Sequence, residues 1–290
     1  MENVEKAFSK TSINWYPGHM AKAKRQVKEQ LSLIDIVYEL VDARMPNSSK
    51  IKDIEELIKN KPKILIMTKI DLCDMKETKK WITYYEQKGY KVILQNLEKN
   101  PDLKQIIKET EILMKPINEK RKQKGLKIRK TRILILGIPN VGKSTLINRF
   151  AHKKSVNVGN MPGVTKNLNW IRINEQLELL DTPGILWPKL EKENAFNLAS
   201  LSAIKEEILP LEEVAIYIIK TLVQYYKEIA KERFGIDEID EDIVKTLDII
   251  GKKRGCLTKG AEIDYEKVYH VIINDVKNGL IKGITFDRFV

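Results

Sequence analysis

The feature that most constrains the fold lies near the middle of the chain, where residues 137–144 read GIPNVGKS. They fit the pattern G-x-x-x-x-G-K-[ST] and stand between an apolar run, 133–136, and a helical pattern, 145–150. A glycine-rich turn between a strand and a helix points its backbone N–H groups at phosphates, at the positive end of the helix dipole. The sequence therefore predicts a nucleotide-binding α/β domain, with an ordinary glycine-containing turn as the alternative.

The side chains of this loop have different expected roles. Lys143 would neutralise the β- and γ-phosphate oxygens, which makes it a candidate catalytic and binding residue, and the Ser144 hydroxyl would bind Mg²⁺. The other candidates for nucleotide contact in the loop are Pro139, Asn140, Val141, Gly142 and Thr145. The loop predicts phosphate and metal contacts but does not identify the base.

Short apolar runs alternate with helical patterns along the first half of the chain. The predicted strands are 33–41, 63–67, 92–94 and 133–136, and the predicted helices between them are 51–59, 76–88 and 103–114. Such alternation indicates right-handed βαβ units. We therefore predict an α/β fold, with a mostly parallel sheet and helices on both faces. A hairpin is predicted from 169–173 and 177–180.

After Pro188 the apolar pattern becomes helical. Five apolar positions fall on one helical face: Val214, Ile218, Leu222, Tyr225 and Ile229. The sequence thus predicts an α/β domain over residues 1–189, with an N-terminal extension, followed by a small all-α domain over 190–290. We expect this second domain to bind RNA.

Two further segments supply candidate contacts for the metal and the γ-phosphate. Asp181 and Gly184 are the ends of a D-T-P-G sequence that follows the predicted strand 177–180. Asp181 is placed to hold Mg²⁺, and the Gly184 N–H to contact the γ-phosphate. Thr165 is a candidate switch threonine and a candidate catalytic residue, because its hydroxyl could reach Mg²⁺ when GTP is bound.

A separate motif predicts the base. Residues 68–71 read TKID and end the predicted strand 63–67. The Asp71 carboxylate can accept hydrogen bonds from N1–H and the exocyclic amine of guanine, a donor pair that adenine lacks, and the Lys69 stem can cover the base. Alone this motif is weak. Together with the phosphate loop and the D-T-P-G sequence, it favours GTP over ATP.

The motifs occur in an unusual order. In an ordinary small GTPase the phosphate loop comes first and the base-reading motif last, whereas here residues 68–71 precede 137–144 and 181–184. The chain therefore resembles the circularly permuted GTPases. Domain termini often lie close together at the surface, so a sheet can be retained while the chain ends move.

Other segments narrow this resemblance. Residues 14–23 read NWYPGHMAKA, residues 41–46 read VDARMP, residues 184–189 read GILWPK and residues 253–257 read KRGCL. With these segments the chain resembles the YlqF-type ribosome biogenesis GTPase A family over nearly its whole length.

The resemblance implies a bacterial assembly factor. Such a factor hydrolyses GTP during late maturation of the large (50S) ribosomal subunit, binds rRNA in a GTP-dependent way, and has a low intrinsic rate that the subunit stimulates. The expected partners are a 50S precursor and rRNA, the expected cofactor is Mg²⁺, and we expect a monomer in solution. Two alternatives stay open: a nucleotide-gated RNA-binding module with little hydrolysis, and a GTPase acting in tRNA modification.

Compared with other GTPases, the chain departs from the usual base pocket. Residues 95–97 read QNL where GTPases commonly have a Ser-Ala contact to guanine O6, so a backbone N–H near Asn96 or Leu97 would have to make it. Thr68 stands where Asn is commoner. Both departures favour a modest nucleotide affinity.

The resemblance also bears on hydrolysis. Ile185 occupies the place where many GTPases have the glutamine that orients the attacking water. In this family His19 is the proposed substitute, because a neutral imidazole can accept a hydrogen bond from water. A structural or RNA-facing histidine is the alternative. Asn140 occupies a position associated with K⁺-dependent GTPases, and an asparagine that only orders the turn is the alternative.

The charge of the chain is unevenly distributed. The net charge is +12, to which residues 191–290 contribute −4 and residues 1–190 contribute +16. Basic residues are densest between Lys115 and Arg132. One such run is as often a solvated helix face as a binding surface, but an excess over a whole domain favours a polyanionic partner such as RNA. Lys252, Lys253 and Arg254 are further candidates for RNA phosphate contacts.

Composition excludes several classes of protein. No stretch approaches the ~20 apolar residues that a membrane span needs. The N-terminal sequence lacks the apolar core of a secretory signal. Two cysteines, Cys73 and Cys256, cannot form a disulfide framework or a four-thiolate zinc site. We therefore expect a cytoplasmic protein without membrane association.

Overall fold

The structure is a computed structural model that describes residues 18–151, 169–182, 192–201, 203–204 and 209–289. Two of the predicted site residues, Thr165 and Gly184, lie outside the described residues. The backbone of His19 is described, but its side chain lies outside the description.

The described strands form one six-stranded sheet. They are β1 (Ile36–Asp42), β2 (Lys63–Thr68), β3 (Lys91–Gln95), β4 (Thr131–Gly137), β5 (Asn169–Arg172) and β6 (Leu177–Asp181). Their order in the sheet is β3-β2-β1-β4-β6-β5. Every neighbouring pair is parallel except β5 and β6, which form the predicted antiparallel hairpin. The predicted α/β fold with a mostly parallel sheet is confirmed.

Helices connect the strands and then continue alone. The described helices are α1 (Gly18–Gln30), α2 (Lys52–Ile58), α3 (Met75–Gln87), α4 (Leu103–Gln123), α5 (Lys143–Ala151), α6 (Lys192–Ser200), α7 (Leu211–Tyr225), α8 (Lys227–Phe234), α9 (Ile243–Arg254) and α10 (Tyr265–Lys277). No described helix combines the length and the apolar character that crossing a bilayer requires. The domain boundary near residue 190 stays a prediction.

The parallel arrangement decides where a site can form. All seven residues of β1 are buried, as expected for a central strand covered on both faces. Asp42, Thr68 and Gln95 are paired in register at the ends of β1, β2 and β3, and Gly137 pairs with Leu40 at the end of β4. The carboxyl ends of the parallel strands therefore meet at one edge, where α/β proteins bind their ligands.

Three predicted boundaries are wrong. The strand predicted from residue 33 begins at Ile36, because Leu31–Leu33 forms a 3₁₀ turn. The helix predicted to end at residue 114 continues through Pro116 to Gln123, so half of the basic run is helical.

The third error is the single helical face predicted over residues 214–229. The helix breaks at Tyr226, whose φ of −140° is not helical, and Tyr225 is 43% exposed. The hydroxyl of Tyr226 accepts a hydrogen bond from the Thr285 N–H (2.9 Å), so this break is held by the end of the chain. Val214, Ile218 and Leu222 are buried as predicted.

Candidate nucleotide-binding site

The phosphate loop connects β4 to α5, and its glycines are required by close approaches. A Cβ on Gly137 would lie 2.7 Å from Val141 Cγ1 and 2.9 Å from the Leu40 carbonyl oxygen. Gly142 has a φ of +107°, and a Cβ there would lie 2.9 Å from Leu97 Cδ1. Only glycine avoids both the clashes and the strain, so the backbone can wrap as tightly as phosphate binding needs.

Lys143 points back into this loop from the start of α5. Its Nζ donates hydrogen bonds to the carbonyl oxygens of Gly137 and Ile138, each at 2.9 Å. Burial lowers the pKa of Lys143 to about 8, and the charge of Asp181 offsets part of this effect. A phosphate beside the ammonium would favour its charged form, so this lysine is well placed to attract one.

Asp181 ends β6 beside the loop, and its carboxylate is buried. Neither carboxylate oxygen has a hydrogen-bond partner within the part of the chain that the structure describes. Burial raises the pKa of this carboxyl to about 6, although the Lys143 charge opposes the rise. The strand end itself is fixed, because the Thr182 hydroxyl donates to the Ile135 carbonyl oxygen at 2.7 Å.

A buried carboxylate whose oxygens lack hydrogen-bond partners among the described residues is suited to bind a cation. Mg²⁺ prefers oxygen ligands and is commonly held by one or two protein oxygens together with phosphates. Asp181 and the Ser144 hydroxyl, both at the carboxyl edge of the sheet, are such a donor set. Bound there, Mg²⁺ would neutralise charge on the phosphate oxygens.

The T-K-x-D segment lies directly against the phosphate loop. The Thr68 hydroxyl donates to the Val141 carbonyl oxygen at 2.7 Å, across 73 positions of sequence, and also lies 3.2 Å from the Val41 carbonyl oxygen. Thr68 is buried. The structure therefore joins two predicted motifs, and a threonine makes the link at the position where asparagine is commoner.

The next residues of this motif stand at the carboxyl edge. Lys69 has a left-handed backbone, with a φ of 57°, and its Nζ lies 3.0 Å from Asp42 Oδ2. Asp71 is exposed. Asp42 was not among the residues predicted for the site. The sequence shows only an acid directly after a predicted strand, and its contact with Lys69 depends on β1 lying beside β2.

The loop after β3 completes the edge. Asn96 Oδ1 accepts hydrogen bonds from the N–H groups of Glu98 (3.1 Å) and Lys99 (3.2 Å), which folds the loop into a tight turn. Arg149 of α5 donates to the carbonyl oxygens of Leu97 (3.1 Å) and Glu98 (2.8 Å). Arg149 was missed from sequence, and it ties the predicted guanine O6 loop to the helix that follows the phosphate loop.

The structure thus brings together the predicted residues of three loops. They are Thr68, Lys69 and Asp71; Asn96 and Leu97; and Pro139, Asn140, Val141, Gly142, Lys143, Ser144 and Thr145, with Asp181 beside them. Asn140 has a φ of 58°, in the left-handed region that asparagine tolerates. His19 lies in the first turn of α1.

The fold and the loops at its carboxyl edge define a class of protein, the P-loop GTPases, here with circularly permuted motifs. The family described as "50S ribosome-binding GTPase" matches residues 132–257. Ribosome biogenesis GTPase A of Bacillus licheniformis is 48% identical over 277 residues, which cover 95% of this chain and 98% of the relative. The chain therefore belongs to the ribosome biogenesis GTPase A family, and it is a GTPase.

Other relatives and solved structures agree. Ribosome biogenesis GTPase A of Priestia megaterium is 46% identical over 95% of this chain and 96% of its own length. The crystal structure of GNP-bound YlqF from T. maritima superposes with a TM-score of 0.62 at 26% identity, covering 92% of this chain and 98% of that one. The GDP-bound YlqF structure gives the same TM-score.

Proposed function

We propose that this GTPase acts in the cytoplasm as a monomeric assembly factor for the large (50S) ribosomal subunit, binding rRNA in a GTP-dependent way late in maturation. The main evidence for the nucleotide site is the contact of the T-K-x-D segment with the phosphate loop through Thr68 and Val141. The ribosomal role is supported by relatives named for ribosome biogenesis over 95% of the chain.

The roles of the site residues follow from their chemistry. Asp71 and Lys69 read guanine, and a backbone N–H near Asn96 or Leu97 contacts its O6. Lys143 neutralises the β- and γ-phosphates. Asp181, Ser144 and Thr165 hold Mg²⁺, and the Gly184 N–H contacts the γ-phosphate.

We assign the orientation of the attacking water to His19. The imidazole of a residue in the first turn of α1 can accept a hydrogen bond from water, and Ile185 cannot. His19→Ala is expected to lower GTP turnover and leave GDP affinity unchanged. A large loss of GDP affinity with an unchanged turnover of bound GTP would remove His19 from the mechanism.

Asn140 is proposed to hold K⁺ near the phosphates. Asn140 lies within the phosphate loop and has a left-handed backbone conformation. A cation bound there would stabilise negative charge on the phosphates, as an arginine finger does. Turnover is therefore expected to be higher in K⁺ than in Na⁺ buffer, and Asn140→Ala is expected to abolish the difference. Equal turnover of the unaltered protein in the two buffers would contradict the assignment.

The basic run supplies a candidate rRNA surface. It precedes β4 and so lies at the amino edge of the sheet, opposite the nucleotide. Arg121 and Arg129 bind the Asp35 carboxylate, at 2.5 and 2.8 Å, so these two arginines have a structural role. Four lysines remain exposed at the end of α4 and in the segment that follows it: Lys120, Lys122, Lys124 and Lys127.

Apolar side chains stand among these lysines. Leu126 is 57% exposed and Ile128 is 52% exposed, in the segment between α4 and β4. Positive charge beside apolar groups suits RNA, whose phosphates and bases both need partners. We therefore place the rRNA contact of the α/β part on residues 120–128.

The basic cluster of the helical part is largely used internally. Lys253 Nζ donates to the carbonyl oxygens of Lys231 (3.0 Å) and Glu232 (2.6 Å) at the end of α8. Arg254 pairs with Asp275. Of the three residues that sequence suggested for RNA phosphates, Lys252 is the best placed for this role.

Co-sedimentation with large ribosomal subunits tests the proposal. We expect more protein to pellet with a GTP analogue than with GDP, and the bound fraction to fall steeply as salt rises. The double variant Lys124→Gln/Lys127→Gln is expected to bind less than Lys79→Gln/Lys104→Gln, which removes the same charge from two exposed positions outside the basic run and outside residues 190–290. Equal pelleting with both nucleotides, with no subunit-stimulated turnover, would contradict the proposed function.

A further inference from the structure

A buried ion cluster lies beside the predicted guanine pocket. Asp42 ends β1 and is 1% exposed. Its Oδ1 accepts hydrogen bonds from the N–H and Nε of Arg44, each at 3.0 Å, and its Oδ2 accepts one from Arg44 Nη2 at 2.9 Å. The same Oδ2 lies 3.0 Å from Lys69 Nζ. One carboxylate therefore holds both an arginine and the lysine whose stem is expected to cover the base.

The arginine of this cluster reaches the helical part of the molecule. Arg44 is 1% exposed, and its Nη1 donates to the carbonyl oxygen of Val276, in the last turn of α10, at 3.0 Å. Its own carbonyl oxygen accepts the Phe286 N–H at 2.7 Å. Asp42 is thus linked to Lys69 on one side and to the C-terminal helices on the other.

The end of the chain also holds the base-reading loop through the backbone. The N–H groups of Gly283 and Ile284 both donate to the carbonyl oxygen of Leu72, at 2.8 and 3.2 Å. Leu72 directly follows Asp71, the proposed guanine acceptor. The Thr285 hydroxyl accepts the N–H of Asp74 at 3.1 Å, two residues further along the same loop.

This segment is itself firmly anchored. The Asp287 carboxylate accepts hydrogen bonds from the N–H groups of Asn47 (2.6 Å) and Ser48 (2.7 Å) and from Asn197 Nδ2 (2.9 Å). Trp81 Nε1 donates to the Asp287 carbonyl oxygen at 3.2 Å. Residues 283–287 therefore form a bridge between α6, which contains Asn197, and the loops that follow β1 and β2.

Such support matters because base recognition is sensitive to position. A carboxylate accepts the two guanine donors only at hydrogen-bond distances, and Lys69 keeps a backbone conformation that is strained for a residue with a side chain. Strain of this kind persists only when the surroundings hold it in place.

We propose that Asp42 and Arg44 are positioning residues through which the C-terminal helices set the guanine selectivity of the nucleotide site. The proposal rests on the roles assigned above to Asp71 and Lys69. By linkage, a partner that shifts the C-terminal helices changes guanine-nucleotide affinity, and bound guanine nucleotide changes the affinity for that partner by the same factor.

The test compares GDP with inosine diphosphate (IDP), which lacks the exocyclic amine. Affinities are measured by competition against a fluorescent GDP, in two variants. Arg44→Lys keeps a cation beside Asp42 but lacks the guanidinium group, whose second nitrogen donates to the Val276 carbonyl oxygen. Thr285→Val keeps the side-chain shape but removes the hydroxyl that accepts the Asp74 N–H. The matched control is Tyr265→Phe, which removes one exposed hydrogen bond to Asp248 in the helical part.

We expect both variants to reduce the preference for GDP over IDP by at least about fivefold, with a smaller loss of IDP affinity, because IDP keeps the N1–H donor and loses only the exocyclic amine. The control is expected to keep the full preference. An unchanged preference in both variants, or an equal loss of affinity for GDP and IDP, would overturn the proposal. If the unaltered protein binds GDP and IDP equally, the assignment of Asp71 to the base fails first, which separates the two claims.

Discussion

Replacing Thr68 by valine tests the link between the base-reading and phosphate loops. Valine has nearly the same shape as threonine, so packing is retained while the hydroxyl is lost. The Val141 carbonyl oxygen, 2.7 Å from that hydroxyl, then loses this donor in a buried position. The backbone of the phosphate loop is free to shift relative to the loop that carries Lys69 and Asp71.

The expected loss of GDP affinity follows from the strength of one buried, neutral hydrogen bond. Its net contribution is about 0.5–1.5 kcal/mol, and an acceptor left unpaired adds to the loss. We therefore expect GDP affinity to fall by about 1–1.5 kcal/mol, which corresponds to a dissociation constant about five- to twelvefold higher.

The assay is competition of GDP against a fluorescent GDP in the presence of Mg²⁺. Thr68→Ser retains the hydroxyl and is expected to bind nearly as tightly as the unaltered protein. Thr83→Val is the matched control, because the Thr83 hydroxyl bonds only to the Lys79 carbonyl oxygen of its own helix among the contacts described. If Thr68→Val binds GDP as tightly as Thr83→Val does, the reasoning is refuted.

Three other changes have defined outcomes. Asp181→Asn is expected to abolish the gain in GDP affinity that Mg²⁺ gives. In EDTA, the variant and the unaltered protein should bind GDP with the same affinity. An Mg²⁺ effect that persists in the variant would contradict the proposed metal site. Burial raises the pKa of Asp275, but hydrogen bonds from Arg233 and Arg254 more than offset it, so the pKa lies below its usual value. These contacts of Asp275 with the two arginines therefore stabilise the fold above pH ~4 and lose their effect as the pH falls further. Urea unfolding at pH 5 and pH 3 should show a smaller pH dependence in Asp275→Asn, and an identical dependence would contradict the assignment. Arg149→Gln is expected to weaken GDP binding about fivefold with little effect on stability, because the loop at Leu97 loses its hydrogen bonds to α5. Unchanged GDP binding would show that these hydrogen bonds are not needed for nucleotide binding.

Much of the site could be predicted because its signals are local. The phosphate loop, the D-T-P-G sequence and the T-K-x-D motif each follow a short apolar run, and the rules of parallel sheets place the ends of such strands at one edge. In the structure the charges of Lys143 and Asp181 act on each other and Thr68 bonds to the phosphate loop, although these residues are far apart in sequence.

The contacts between these motifs could not be predicted in the same way. The pairing of Asp42 with Lys69 depends on the register of β1 against β2, which places Asp42 opposite Thr68. Arg149 reaches the loop after β3 only because α5 packs beside it. Neither relation has a local sequence signal, since each depends on strand order and packing.

Some boundaries also depended on distant contacts. The break at Tyr226 interrupts an apolar pattern that reads as one continuous helix face. It is held by Thr285 at the other end of the helical part, which no short window of sequence includes. The bridge of residues 283–287 was missed for the same reason, because most of the partners named above lie more than 200 positions earlier in the chain.

The central claim is that loops distant in sequence form a single guanine-nucleotide site with a bound Mg²⁺. Titration calorimetry of the full chain with GDP and with ADP, in Mg²⁺ buffer, tests it most directly. We expect one GDP bound per chain and no measurable heat from ADP. Comparable binding of ADP, or no binding of GDP, would contradict it.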